Sequence, residues 1–225
     1  MTVQVIDREL YTIPEAARIL RMPPSTLRWW LEGKRGHQPV IRLEATGSKA
    51  VTWGEFVEAG FLHEYRDAGV PLQRLRRFVT ELRQEAGVPY PLAHAKPLVL
   101  GRGLVVEAQR VAGLDVDPLG PVIYEAAGGH YLFAAAVEQY VKRIDFAQRG
   151  YAERIYPAGR QSPVVIDPEF AFGAPSVNGI RTAVLTELLD AGEAPEEVAA
   201  DYGLNVRQVK AAAAYEWSDG TATAA

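Results

Sequence analysis

The sequence predicts a mixed α+β fold, mainly helical. It should comprise an N-terminal winged helix-turn-helix, a β-rich middle segment and a C-terminal three-helix, helix-turn-helix-like domain. Three observations predict it. Apolar residues recur at helical spacing on both sides of the Pro23-Pro24 break. Short β-branched or alternating runs, bounded by Gly and Pro, fill the middle of the chain. Helix starts and stops then follow one another from Thr182 onward.

The first helix opens at Thr12, whose hydroxyl and Glu15 form a capping-box pair, and Ile13, Ala16, Ala17 and Leu20 give it one buried face. Residues 1–9 read as a short lead-in. Pro23 ends what precedes it, and Pro24 suits the first turn of a second helix, where no N–H is needed. Leu27, Trp30 and Leu31 should face inward, turning Ser25, Thr26, Arg28 and Trp29 outward. In a helix-turn-helix the second helix leads into the DNA major groove with its N-terminal residues. Small hydroxyls there can reach bases or phosphates, Arg28 can pair with phosphate or guanine, and the Trp29 indole N–H can donate to the backbone. A packed hairpin with an ordinary charged face is the competing reading.

Gly33 to Gly36 stops the second helix, with the candidate DNA contacts Lys34 and Arg35 in the stop. Beyond it, Val40, Arg42 and Glu44 alternate with Ile41 and Leu43, the chain turns at Thr46-Gly47-Ser48 and resumes at Ala50-Val51, which predicts a β-hairpin wing. Arg42 and Lys49 are its candidate phosphate contacts, or else solvated hairpin charges. Thr52 and Glu55 cap a third helix that closes at Gly69, and a fourth starts after Pro71. Leu72, Leu75, Phe78, Val79 and Leu82 form its buried stripe. Arg74, Arg76, Arg77 and Arg83 lie off that stripe, either as a solvated face or as contacts to DNA flanks or an acidic partner.

From Tyr90 the prolines multiply. LVLGRGLVVEA, PVIYEA and KRIDFAQRGYAERIYP read as strands, and HYLFAAAVEQYV is ambiguous between helix and strand. Asp115 and Asp117 lie in a turn composition rather than a metal site. After Pro163, a strand over Val164–Ile166 leads through Asp167-Pro168 into a Gly/Pro-rich loop. Helices are expected from Thr182 to Ala191, from Pro195 to Gly203 with Glu196 and Glu197 complementing the dipole, and from an Asn205/Gln208 cap onward. The implied division is 1–89, 90–162 and 163–217, with a frayed tail over 218–225.

Composition limits the function. The 225 residues are 48% hydrophobic and 23% charged, a globular balance, and without cysteine there is neither a disulfide framework nor a Cys-based zinc site. His37, His63, His94 and His130 are scattered, and no P-loop, nucleophile elbow or metal-ligand cluster appears, so neither an enzyme nor a cofactor is expected. No signal peptide or membrane span is legible, which predicts a cytoplasmic protein. Residues 1–100 carry 14 Lys/Arg against 11 Asp/Glu, a net of +3, while the remainder carries 10 against 17, a net of −7. A basic N-terminal half suits phosphate, and an acidic C-terminal half suits a basic protein.

The run AARILRMPPSTLRWWLEG resembles the first two helices of MerR-like winged helix domains, whose second helix reads S-P-x-x-L-R-x-W. Pro24, Leu27, Arg28 and Trp30 match, and Pro23 stands where the family has its serine cap. The resemblance makes Arg28 and Trp29 the DNA-contacting pair. The stretch after Pro163 resembles small prokaryotic antitoxin-like domains, with Asp167-Pro168, Gly173, Pro175, Gly179, Arg181, Gly192, Glu196, Glu197 and Tyr202 filling the signature. Together they make the chain similar to a VapB-type antitoxin. That resemblance implies a PIN-like ribonuclease toxin as partner, operator DNA as ligand and a homodimer that represses its own operon. Arg181, Glu196 and Glu197 are then the candidate partner contacts, although Arg181 could instead pin Asp167 or Glu169. The alternative is a MerR-like regulator controlled by a small-molecule effector.

Overall fold

The structure is a computed structural model that describes residues 4–34, 36–94, 123–125, 131–133, 139–147 and 150–220. The chain divides into two units, one of Met1–Lys142 with Phe146–Ala152, the other of Arg143–Asp145 with Glu153–Ala225. Mixed α and β structure runs through both.

In the first unit a short 3₁₀ turn, Val5–Asp7, precedes strand β1 (Glu9–Thr12), helices α1 (Ile13–Ile19) and α2 (Pro24–Glu32), strand β2 (Ala50–Thr52), and helices α3 (Trp53–Asp67) and α4 (Leu72–Ala86). Two capping boxes set the register of this unit. Thr12 Oγ1 accepts the Glu15 N–H at 3.3 Å, and Thr52 Oγ1 accepts the Glu55 N–H at 3.2 Å while Glu55 takes the Thr52 N–H at 2.9 Å. β1 and β2 are antiparallel neighbours with Glu9 opposite Thr52 and Thr12 opposite Ala50, so the two capped helices start from opposite ends of one short ladder. Only Glu9, the last residue of the expected lead-in, belongs to β1; Leu10, Tyr11 and Thr12 complete the strand ahead of α1.

Helix α3 is the centre of the unit. It is buried on nearly every side, from Trp53 through Phe56, Val57, Phe61 and Leu62 to Tyr65. Its Phe56 ring meets Tyr11 at a tilt (centroids 4.6 Å apart), and its Tyr65 ring meets Phe78 of α4 edge-on (6.1 Å). Gly54 and Gly60 allow this crowding: a Cβ at Gly60 would sit 1.9 Å from the Tyr140 hydroxyl. The α4 stripe buries Leu75, Phe78, Val79 and Leu82, while Leu72 is only half-buried.

The wing departs from expectation. No strand forms over residues 40–49, and Ala50–Thr52 pairs with the N-terminal strand instead of with a hairpin arm. The backbone donors find other acceptors: the Val40 and Ile41 N–H groups both bond the Trp30 carbonyl at 2.8 and 3.0 Å. Among the middle-segment strands, β3 (Ile123–Glu125) and β4 (Tyr131–Phe133) form an antiparallel pair. The expected LVLGRGLVVEA strands, Asp115, Asp117 and His130 lie outside the described residues.

Strand β5 (Ile144–Phe146) pairs with β6 (Ala152–Ile155), and the second unit continues from Glu153. Val164–Ile166 is not a full strand but makes two bridges, Val165 to Ser176 and Ile166 to Ile155. Strands β7 (Ser176–Val177) and β8 (Ile180–Arg181) form a hairpin over Asn178-Gly179, both left-handed at φ 51° and 80°. Helices α5 (Thr182–Asp190), α6 (Pro195–Asp201) and α7 (Val206–Gly220) follow. Val164, Val177, Leu185, Val198, Val209, Ala212 and Tyr215 make their common core.

Candidate nucleic-acid interface and the C-terminal unit

The α1-turn-α2 pair is built by local chemistry. Arg21 adopts a left-handed φ of 55°, and the Met22 N–H reaches back to the Ala17 carbonyl at 3.0 Å, reversing the chain in a few residues. Pro23 holds the N-cap position at φ −61° with no side-chain cap, and its carbonyl accepts from Thr26 and Leu27. Gly33 ends α2 at φ 75°, where a Cβ would meet the His37 carbonyl oxygen at 2.5 Å.

Leu27, Trp30 and Leu31 are buried, and Ser25 and Arg28 are exposed with Thr26 half-buried. Lys34 and Lys49 are exposed on the flanking loops; Arg35 lies outside the described residues. Trp29 is half-buried, and the Lys34 ammonium lies 5.9 Å from its ring centre. Its indole N–H is buried without a hydrogen-bond partner, so in this conformation it does not face outward as the expected phosphate donor.

Arg42 corrects the sequence expectation. It is 7% exposed, and its guanidinium is consumed inside the protein. Nε and Nη2 fork onto the Glu55 carboxylate at 2.7 and 3.2 Å. Nη2 also bonds the Ala50 carbonyl at 2.7 Å, and Nη1 bonds Thr46 Oγ1 at 2.8 Å, the Ser48 carbonyl at 3.2 Å and the Glu32 carboxylate. Burial works against the charge, but Glu55 and then Glu32 outweigh it and raise the Arg42 pKa. Glu32 also accepts the Gly47 N–H at 2.7 Å. It lies one turn beyond Arg28 on the outward stripe of α2, so the wing tip is fastened beside that stripe.

Two of the α4 arginines, both half-buried, likewise spend their donors on the protein's own carbonyls. Arg76 bonds the carbonyls of Gln38 and Pro39, and Arg83 bonds those of Ile41 and Pro89. Arg83 also reaches the buried carboxylate of Glu58 at 3.2 Å. Burial pushes Glu58 up to about 8, against the pull of Arg83 and of the Leu92 N–H. Arg77 stays exposed.

In the second unit the buried Asp167 is held by Arg154, whose Nε and Nη2 lie 2.9 and 2.7 Å from Oδ2. The other oxygen takes the Glu169 N–H at 2.9 Å. The sequence offered Arg181 for this role and gave no hint of Arg154, 13 positions away. Arg181 is exposed instead, with its guanidinium 6.0 Å from the ring of Phe172. Phe172 is 79% exposed, and it and Ala171 have left-handed φ values of 56° and 50°. An open cleft of about 350 Å³ lies alongside, lined by Arg154, Asp167, Phe170, Ser176 and Asn178. Glu196 and Glu197 are exposed on α6. Among the described residues no His/Cys/Asp/Glu group could hold a metal, and no helix is long and apolar enough to cross a membrane.

Residues 9–79 match the family described as "Putative DNA-binding HTH domain", and residues 164–215 match "Protein of unknown function (DUF433)". The chain is 33% identical to the uncharacterized protein Rv2308 of Mycobacterium tuberculosis (strain ATCC 25618 / H37Rv), covering 94% of this chain and 91% of that one. It is 32% identical to the protein named "Putative antitoxin VapB45" of the same organism, covering 91% and 92% respectively. The crystal structure of Rv2018 from Mycobacterium tuberculosis superposes with a TM-score of 0.71 at 30% identity, over 93% of this chain and 99% of that one. At about one-third identity over more than nine-tenths of its length, the chain belongs to the family that includes Rv2308 and VapB45.

Proposed function

We propose that this chain is the antitoxin of a toxin–antitoxin module. As a cytoplasmic homodimer it binds operator DNA through the first unit to repress its own operon, and it neutralises a PIN-like ribonuclease toxin through the second. The observation that carries the DNA reading is the outward stripe of α2, Ser25 and Arg28, beside a wing loop that presents Lys49. Ser25, Thr26 and Arg28 enter the major groove; Lys34 and Lys49 neutralise flanking phosphates. Trp29 supplies ring surface beside Lys34. Two copies would read half-sites one helical turn or a multiple apart.

The antitoxin part is supported by the relationship to VapB45 and by charge. From Thr182 onward there are two basic residues against eight acidic ones, a coat that disfavours polyanions and suits a basic protein surface. Glu196, Glu197 and Arg181 supply polar contacts, and Phe172 beside Arg181 supplies an apolar anchor.

Co-expression of the tagged chain with the genes adjacent to its own, followed by mass spectrometry of what elutes, tests this reading. A small PIN-like protein in stoichiometric amount is the expected result. Elution alone, with own-promoter DNA still bound, would favour the effector-controlled regulator, and titration of small molecules into the Arg154 cleft would follow. Arg28→Ala should weaken operator binding and spare toxin inhibition, and Arg181→Glu should do the reverse.

A further inference from the structure

The longest helix of the second unit, α7, has a face that nothing covers among the described residues. Val209, Ala212, Ala213 and Tyr215 point into the core. On the opposite side Arg207, Lys210, Ala214 and Trp217 are all exposed, Trp217 at 54%. Arg207 and Lys210 form no ion pair among the described residues. The four positions are spaced three, four and three apart, so their spacing, though not their chemistry, is the same from either end, with its midpoint level with Ala212.

A stripe of this symmetry fits itself. If two α7 helices pack antiparallel about a two-fold axis at Ala212, Arg207 of each copy meets Trp217 of the other, and Lys210 meets Ala214. Each end then finds its complement. A guanidinium over an indole is the favoured cation–π pair, and the two cations at the start of one helix lie along the negative end of the other helix's dipole. Ala211 and Ala214 at the centre carry no bulk, which lets the helices approach to the lower end of the usual 8–10 Å. The isologous pairing uses the same patch twice, as a closed dimer requires.

We infer that the exposed stripe of α7 is the interface by which two copies of this chain associate, through reciprocal Arg207–Trp217 contacts. This rests on the homodimer in the proposed function and names its location; it leaves the α6 carboxylates and Arg181 available to a different protein. One helix pair buries less than the roughly 1,200–2,000 Å² of a standard interface. The dimer should therefore be concentration-dependent.

Sedimentation of the full chain over a concentration series tests it. The expected mass rises from 24.7 kDa toward twice that value. Trp217→Ala and Arg207→Glu, both at exposed positions, should each hold the chain at monomer mass with an unchanged circular dichroism spectrum. Because the chain has no cysteine, introduced thiols report geometry directly. An equimolar mixture of a Lys210→Cys variant with an Ala214→Cys variant should form the mixed disulfide dimer far faster than either variant forms one with itself. A chain that is monomeric at all concentrations overturns the dimer reading altogether. A dimer insensitive to Trp217→Ala and Arg207→Glu, with no preferred mixed disulfide, overturns only this interface. Loss of promoter binding by Arg207→Glu at unchanged mass would make the stripe a DNA surface and likewise overturn the inference.

Discussion

Replacing Arg42 by alanine separates a structural arginine from a DNA-binding one. The substitution leaves the buried Glu55 carboxylate without its fork, and it strips the carbonyls of Ser48 and Ala50 and the Glu32 carboxylate of a donor. Breaking a buried ion pair from one side costs roughly 3–5 kcal/mol. The Glu32 side chain is 19% exposed and its share is screened by water, so the lower end applies, about 3 kcal/mol. For a chain of this size, that lowers the thermal midpoint by roughly 6–12 °C. Near-ultraviolet circular dichroism of the full chain would read the change through the aromatic core around Trp53. Arg42→Lys keeps the charge but not the planar fork and should recover less than half of the loss. Arg28→Ala, on an exposed side chain, should stay within about 0.5 kcal/mol of the parent. If Arg42→Ala melts like the parent but binds DNA more weakly, with the salt slope reduced by about one, Arg42 is a phosphate contact and the structural argument fails.

Two further outcomes follow from buried groups. The folded-state pKa of Glu58 is raised to about 8 from an ordinary 4.5, so between those values the folded chain keeps a proton that the unfolded chain has lost. Its contribution is therefore fully present below about 4.5 and is lost as pH rises through about 8. Urea midpoints at pH 5 and pH 8 should fall between the two for the parent and fall less for Glu58→Gln; equal falls would mean that Glu58 ionises freely in the fold. Gly60→Ala drives a methyl to within 1.9 Å of the Tyr140 hydroxyl and should destabilise the first unit by about 1–3 kcal/mol, read by the same urea titration. An unchanged midpoint there would show that Tyr140 moves aside freely.

Helix starts were the most legible feature of the chain, since a capping box is written within four consecutive residues. Thr12 with Glu15, Thr52 with Glu55 and Asn205 with Gln208 each read correctly. The buried face of α2, Leu27, Trp30 and Leu31, was legible for the same local reason, whereas of the expected outward set Thr26 and Trp29 are half-buried. What failed was long-range. Arg42 looks like any polar residue in an alternating run, and its partner Glu55 is fully accounted for in the sequence by its role as a cap; one carboxylate serves both purposes. The pairing of Ala50–Thr52 with Glu9–Thr12 spans about forty residues, beyond any periodicity signal. Asn178-Gly179, by contrast, is a strong hairpin signal that a Gly/Pro-rich setting concealed.

The grip of Arg154 on Asp167 bears on how this architecture can be dismantled or recombined. The family match in the C-terminal unit begins at residue 164, ten positions after Arg154. A fragment cut at that boundary, or a gene fusion that transplants it, would carry Asp167 into a new context with its buried carboxylate abandoned. The smallest exchangeable module therefore includes the strand that carries Arg154, and the seam visible to sequence comparison is not the seam at which the C-terminal unit can be cut.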